Sequence, residues 1–251
     1  MGHGKVFLVG AGPGDPKLIT LRAAEVLGKA EVVIYDRLAA KSILKLAPKS
    51  AKKIYVGKSS QKHELPQEKI NELLISTALD GKKVVRLKGG DPFLFGRGGE
   101  EAEALADSNV DFEVVPGVTS ALAAPAYAGI PLTHRNYASS VAIVTGHRAG
   151  NAEKIVNWSK IAQAVDTIVI LMGVESLESI ANKLMEGSLS PATPVAIIEQ
   201  GTSKTQKSLT GTLGTIAKMA KERNVKPPAV IVIGEVVNIG RKLSWFKTPS
   251  H

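Results

Sequence analysis

A chain of 251 residues, 44% of them hydrophobic and 22% charged, carries enough apolar surface to offset the conformational entropy lost on folding, which excludes a mostly disordered protein. The absence of cysteine excludes disulfides, thiolate zinc sites, iron–sulfur ligation and a cysteine nucleophile. An excess of 32 Lys and Arg over 23 Asp and Glu, a net charge of +9, favours an anionic partner: nucleic acid, a phosphate or a polycarboxylate. No apolar run approaches the roughly 20 residues of a bilayer span, and Met1-Gly2-His3-Gly4-Lys5-Val6 lacks the layout of a signal peptide, so a cytoplasmic protein away from membranes is expected.

In chain order, Val- and Ile-rich runs alternate with longer helical stretches, the pattern of a mainly parallel sheet with crossover helices in an α/β protein. Strands are predicted at 5–9, 31–35, 53–56, 83–87 and 112–115, and helices at 18–27, 43–46, 67–79 and 99–106. In the third helix Pro66 suits a first position, and Ile70, Leu73, Leu74 and Ala78 share one face. Beyond Pro116-Gly117 the pattern changes. A helix at 120–127 ends before Gly129-Ile130-Pro131, strands follow at 140–145, 167–171, 195–199, 206–210 and 229–234, and helices at 176–186 and 213–223. The short links between the late strands predict a mixed parallel and antiparallel sheet. Two α/β lobes are expected, 1–116 and 117–251, with a cleft between them for a ligand.

Two glycine-rich turns carry the chemistry. The first strand runs into Gly10-Ala11-Gly12-Pro13-Gly14-Asp15-Pro16. A dinucleotide loop is one reading, supported by Asp36 at the end of the second strand, where a ribose-binding acid belongs. Against it, Asp15 stands where the third glycine belongs and suits a helix N-terminus rather than a diphosphate, and Pro13 removes a backbone N–H. The second turn, Lys88-Gly89-Gly90-Asp91-Pro92, lets the backbone approach a ligand closely and offers the Asp91 carboxylate; a tight turn with a helix cap is the other reading.

The combined segments Val9-Gly10-Ala11-Gly12-Pro13-Gly14-Asp15, Tyr35-Asp36-Arg37-Leu38, Val56-Gly57-Lys58, Leu87 through Glu101, Val115-Pro116-Gly117-Val118-Thr119-Ser120, Gly129-Ile130-Pro131-Leu132-Thr133-His134-Arg135 and Leu171-Met172-Gly173-Val174 resemble the tetrapyrrole methylases. The resemblance runs from about residue 5 to about 240. It implies two α/β lobes holding S-adenosylmethionine in the cleft between them, a homodimer, and successive methylation of uroporphyrinogen III at carbons 2 and 7 to give precorrin-2, on the route to sirohaem and cobalamin. Some such enzymes are fused to a dehydrogenase–chelatase module, for which this length leaves no room, so methyl transfer alone is expected. Other substrates of the superfamily are a later corrin intermediate, a modified protein histidine and ribosomal RNA. An aromatic content of 4% leaves few stacking platforms for RNA, and no nucleic-acid partner is expected. From a different class, a non-catalytic nucleotide-binding or scaffold protein would need only the first glycine turn.

Methyl transfer from a sulfonium needs an in-line approach and an enclosure rather than a metal, and the five histidines show no ligand spacing, so no metal is expected. The resemblance places cofactor contacts at Pro13, Gly89, Gly90, Asp91, Leu94, Thr119, Ser120, Met172, Gly201 and Ala229. Plain core packing is the other reading of Met172. The acidic substrate calls for cationic side chains; Arg37, Lys58, Arg97 and Arg135 are the candidates, and each could instead pair at the surface with a neighbour such as Glu100 or Glu101. The resemblance further implies Asp36 as proton acceptor and Lys58 as proton donor. Arg97, always protonated, is better suited to stabilising charge.

Overall fold

The computed structural model describes residues 4–57, 65–146 and 156–247. Contacts within the chain separate one unit ending at Thr119 from another beginning at Ser120. The first unit holds β1 (Lys5–Gly10), β2 (Val32–Tyr35), β3 (Lys52–Tyr55), β4 (Lys83–Lys88) and β5 (Phe112–Val115). These form an all-parallel sheet in the order β3-β2-β4-β1-β5.

Side chains alternate across a strand, and both faces of this sheet are covered. Val9, Val33, Val85 and Leu87 pack with Ala23, Val26 and Leu27 of α1 (Leu21–Leu27). Val6, Leu8, Ile34 and Val84 pack with Ile70, Leu74 and Ala78 of α2 (Gln67–Leu79) and with Ala102 and Leu105 of α3 (Gly98–Asp107). Two-sided burial is why the strands read as near-continuous apolar runs.

The helix expected over 18–27 is broken in two. Asp15 accepts the Lys17 N–H at 2.9 Å and starts a 3-10 turn at Pro16–Leu18 that stops at Ile19, and Thr20 Oγ1 then accepts the Ala23 N–H at 3.2 Å to start α1 afresh. Two caps in succession satisfy orphan donors that one continuous helix would have bonded internally. Thr20→Ala should therefore cost about 1 kcal/mol, read from the urea unfolding midpoint. The segment 43–46 is likewise a 3-10 turn rather than an α-helix.

The second unit holds α4 (Ser120–Tyr127), β6 (Val141–Thr145), α5 (Trp158–Ala164), β7 (Thr167–Leu171), α6 (Leu177–Glu186), β8 (Pro194–Glu199), β9 (Lys207–Thr212), α7 (Ile216–Glu222), β10 (Ala229–Ile233) and α8 (Gly240–Leu243). Its sheet runs β6-β7-β10-β8-β9. The β6–β7 pair is parallel and the other three are antiparallel, the expected mixture. Ile168, Ile170, Val195, Ile197, Ile231 and Ile233 pack one face onto Leu177, Ile180 and Leu184 of α6 and Ile216 of α7, while α4 contacts β7 and β10. The short α5 was not expected; it is held by the Asn157 side chain, which accepts the Lys160 N–H at 3.0 Å, and by buried Trp158. Among the described residues no helix is long and apolar enough to cross a membrane.

Candidate active site

Ligands of parallel sheets bind beyond the carboxyl ends of the strands. At that edge of the first unit three loops pack backbone against backbone. The Ala11 N–H donates to Lys88 O at 2.7 Å, and Gly12 and Gly90 exchange hydrogen bonds of 3.2 and 2.7 Å. Gly12 and Gly90 take φ of 79° and 68°, the left-handed region that glycine enters without steric cost. A Cβ on Gly10 would stand 2.5 Å from Gly117 Cα and 2.6 Å from Gly90 O. The approach therefore requires glycine.

Asp91 ties these loops together. Its Oδ1 accepts the Phe93 N–H at 2.8 Å and its Oδ2 the Gly117 N–H at 3.0 Å. The helix-cap reading fails, because α3 begins only at Gly98. Gly117 is bound into the first unit by the same contact. Each Asp91 oxygen has a further lone pair, and the side chain is only partly buried. A Cβ on Gly89 would meet Leu38 Cβ at 2.5 Å, so the turn after β2 rests directly on the two-glycine turn. Pro13 and Leu94 are half-buried in the same loops, as is Thr119 at the end of this unit. No α-helix starts directly after Gly14: a 3-10 turn whose N-terminus is capped by the Asp15 carboxylate comes first, and α1 starts at Leu21 behind its own cap. The dinucleotide reading thus lacks its anion-binding element.

Below this edge lies a buried ionic cluster that the sequence did not disclose. Arg86 and Lys88 sit on one face of β4, and Glu101 of α3 receives Arg86 Nε at 3.0 Å, Lys88 Nζ at 2.9 Å and Gln67 Nε2 at 3.2 Å, all on Oε1. Arg86 Nη2 reaches Asp36 Oδ2 at 3.3 Å, and Asp36 Oδ1 accepts the Leu38 N–H at 3.0 Å. Burial, then the Arg86 charge, pushes the Lys88 ammonium below the ordinary lysine value of 10.5, with Glu101 opposing. From that lowered value up to 10.5 the unfolded chain binds more protons than the folded one, so this group's contribution to stability rises with pH across that window. The unfolding free energy of the parent minus that of Lys88→Met should accordingly grow as the pH is raised toward 10.5 in urea titrations. A difference that stays constant would contradict it.

The candidate cations lie in different settings. Arg97, with φ of 58°, precedes α3 and is bound through Nε and Nη2 to Glu100 at 2.9 and 2.6 Å. That hydrogen bond is the main cause holding its pKa above the ordinary arginine value. The expected surface pairing is therefore present for Arg97, on Glu100; the neighbouring Glu101 is buried. Arg37 is exposed in the turn after β2, and Arg135 is exposed in the second unit beside the His134–Ala138 bridge. Lys58 lies outside the described residues.

In the second unit, Met172, Gly201 and Ala229 gather at one edge of the sheet. Met172 follows β7, Ala229 begins β10 in register with Glu199 at the end of β8, and Gly201 comes two residues later. Met172 is 52% exposed with φ of 55°, so the core-packing reading of this residue does not hold. Gly201 is a close-packing position, where a Cβ would meet Ala124 Cβ at 2.4 Å. Ser120 is the first residue of α4. Among the described residues no group of three or more His, Cys, Asp or Glu is placed to hold a metal ion.

Residues 5–217 match the Tetrapyrrole (Corrin/Porphyrin) Methylases. The chain is 54% identical over 238 residues to a uroporphyrinogen-III C-methyltransferase of Methanocaldococcus jannaschii, covering 94% of this chain and 98% of that one. It is 50% identical over 245 residues to a siroheme synthase of Pseudoalteromonas atlantica, covering 98% of this chain and 53% of the relative, and so spans about half the length of the siroheme synthases it matches. A crystal structure of the Thermus thermophilus uroporphyrin-III C-methyl transferase complexed with S-adenyl homocysteine superposes with a TM-score of 0.81 at 42% identity, over 94% of this chain and 100% of that one. With the family match extending over most of its length, the chain belongs to the tetrapyrrole (corrin/porphyrin) methylases.

Proposed function

We propose that this protein transfers methyl groups from S-adenosylmethionine to carbons 2 and 7 of uroporphyrinogen III, giving precorrin-2 in sirohaem or cobalamin synthesis. The observation that carries the reading is the packing of Gly10, Gly90 and Gly117 under the Asp91 tie, in a chain that matches a uroporphyrinogen-III C-methyltransferase over 98% of that relative. In each transfer an electron pair of a pyrrole carbon forms the new C–CH3 bond while the S–CH3 bond breaks toward sulfur. S-adenosylhomocysteine and a cationic macrocycle result, and loss of a proton restores the neutral ring. In this reading Asp36 accepts that proton, Lys58 donates one to the methylated ring where it shifts to its product tautomer and regains it from solvent while the ring gives up another, and Arg97 stabilises charge.

Pro13, Gly89, Gly90, Asp91, Leu94 and Thr119 of the first unit, with Ser120, Met172, Gly201 and Ala229 of the second, contact the cofactor. Arg37, Arg97 and Arg135 take carboxylates of the macrocycle. For Arg97 this means exchanging Glu100 for substrate, a small cost because exposed ion pairs are worth about 0–1 kcal/mol. A cytoplasmic homodimer belongs to the same reading, and light scattering of the purified protein tests the dimer.

Calorimetric titration tests the cofactor assignment: S-adenosylhomocysteine should bind and NAD should not. Asp91→Ala releases the Gly117 N–H and should weaken S-adenosylhomocysteine at least about tenfold, the worth of one charge-assisted hydrogen bond. Arg97→Ala should leave that affinity within about threefold and depress turnover. The opposite pattern would mean that the two residues have been assigned to the wrong ligands.

A further inference from the structure

We propose that Arg86, held by Glu101, is a positioning residue for Asp36. This rests on the reading of Asp36 as proton acceptor. Arg86 occupies an inner strand of a parallel sheet, a place ordinarily filled by Val, Ile or Leu. Its side chain is 4% exposed, that of Lys88 5% and that of Glu101 0%, whereas Asp36 is 27% exposed. Among the described residues, the solvent-facing member of this set of four charges is therefore the Asp36 carboxylate.

The bonding runs toward that carboxylate. Gln67 Nε2 is anchored by Asn71 Oδ1 at 2.9 Å and donates to Glu101. Glu101 fixes Arg86 through Nε, and Nη1 leans on Leu87 O at 3.4 Å, which leaves Nη2 directed at Asp36 Oδ2. With the other Asp36 oxygen taken by the Leu38 N–H, both ends of the carboxylate are anchored and its plane is set.

Charge gives the same answer. Glu101 alone would neutralise Arg86, but it also receives Lys88, so the two cations are balanced only when Asp36 is counted as the second anion. Buried ion pairs of this kind add little net stability over an apolar core. A guanidinium fork spanning two carboxylates does, however, fix geometry in a way that an ammonium cannot.

The test is a double-mutant cycle on the single-turnover rate at which the deprotonated methylated product forms from uroporphyrinogen III, followed by absorbance, using Asp36→Asn, Arg86→Lys and the double variant, with S-adenosylhomocysteine affinity measured alongside. Asp36→Asn should slow product formation about a hundredfold, the usual scale for a positioned acid–base group. Arg86→Lys should slow it at least about tenfold while leaving the cofactor affinity within about threefold, and the double variant should be no slower than Asp36→Asn. Should Arg86→Lys fail to fold, Glu101→Gln, which keeps shape and an acceptor oxygen, takes its place in the same cycle. Losses that multiply in the double variant, or a parental rate for Arg86→Lys, overturn the inference and leave Asp36 as acceptor. A parental rate for Asp36→Asn overturns both.

Discussion

Glu101→Ala is expected to lower the melting temperature by about 6–20 °C, whereas Glu100→Ala, one residue away, should change it by only a few degrees. Removing the Glu101 carboxylate leaves the Arg86 and Lys88 cations buried side by side without an anion between them. Breaking a buried pair from one side costs about 3–5 kcal/mol, and each kcal/mol moves the transition of a chain this size by about 2–4 °C. Glu100 holds only Arg97, with both side chains more than half exposed, so solvent and salt already screen what is lost. Differential scanning calorimetry of the two variants decides it. Transitions within about 2 °C of each other would show that the cluster does not carry the charge energetics assigned to it.

Gly117→Ala should cost about 2–3 kcal/mol of stability and reduce S-adenosylhomocysteine affinity at least about tenfold. The added methyl would stand 2.2 Å from Gly90 O and 2.7 Å from Gly10 Cα. Both neighbours are main-chain atoms, so no rotamer change relieves the clash and the loops must separate. Separation stretches the Asp91–Gly117 hydrogen bond and the Gly12–Gly90 bridge together. Gly99→Ala is the matched control. It lies inside α3 with nothing within 4 Å of the new methyl, and helix propensity predicts a gain of up to about 1 kcal/mol. Urea unfolding and calorimetry on both variants check the contrast, and equal behaviour of the two would contradict it.

The strands were readable because a sheet buried on both faces leaves apolar runs such as Val32–Tyr35 that little else produces. The two glycine turns were readable as special positions, but their purpose was not. That Gly10, Gly90 and Gly117 meet one another, and that Asp91 reaches across 26 residues to the Gly117 N–H, are contacts of tertiary structure that no local spacing encodes. The break between Pro16–Leu18 and α1 was missed because Asp15 and Thr20 both make good caps, and propensity alone favours one continuous helix through Leu18 and Ile19.

No local motif marks Arg86 and Lys88 as buried charges. The signal that would have exposed them is the assignment of 83–87 as an inner strand, since charges on such a strand must find buried partners. Glu101 stands beside Glu100 as an equivalent surface partner in the sequence. Only the phase of α3, which turns Glu101, Ala102 and Leu105 inward, separates the two glutamates.

The most direct test of the account is anaerobic incubation of the folded protein with uroporphyrinogen III and methyl-labelled S-adenosylmethionine, followed by mass analysis of the macrocycle. Two labels per macrocycle are expected; a folded, cofactor-binding protein that transfers none would contradict the assignment.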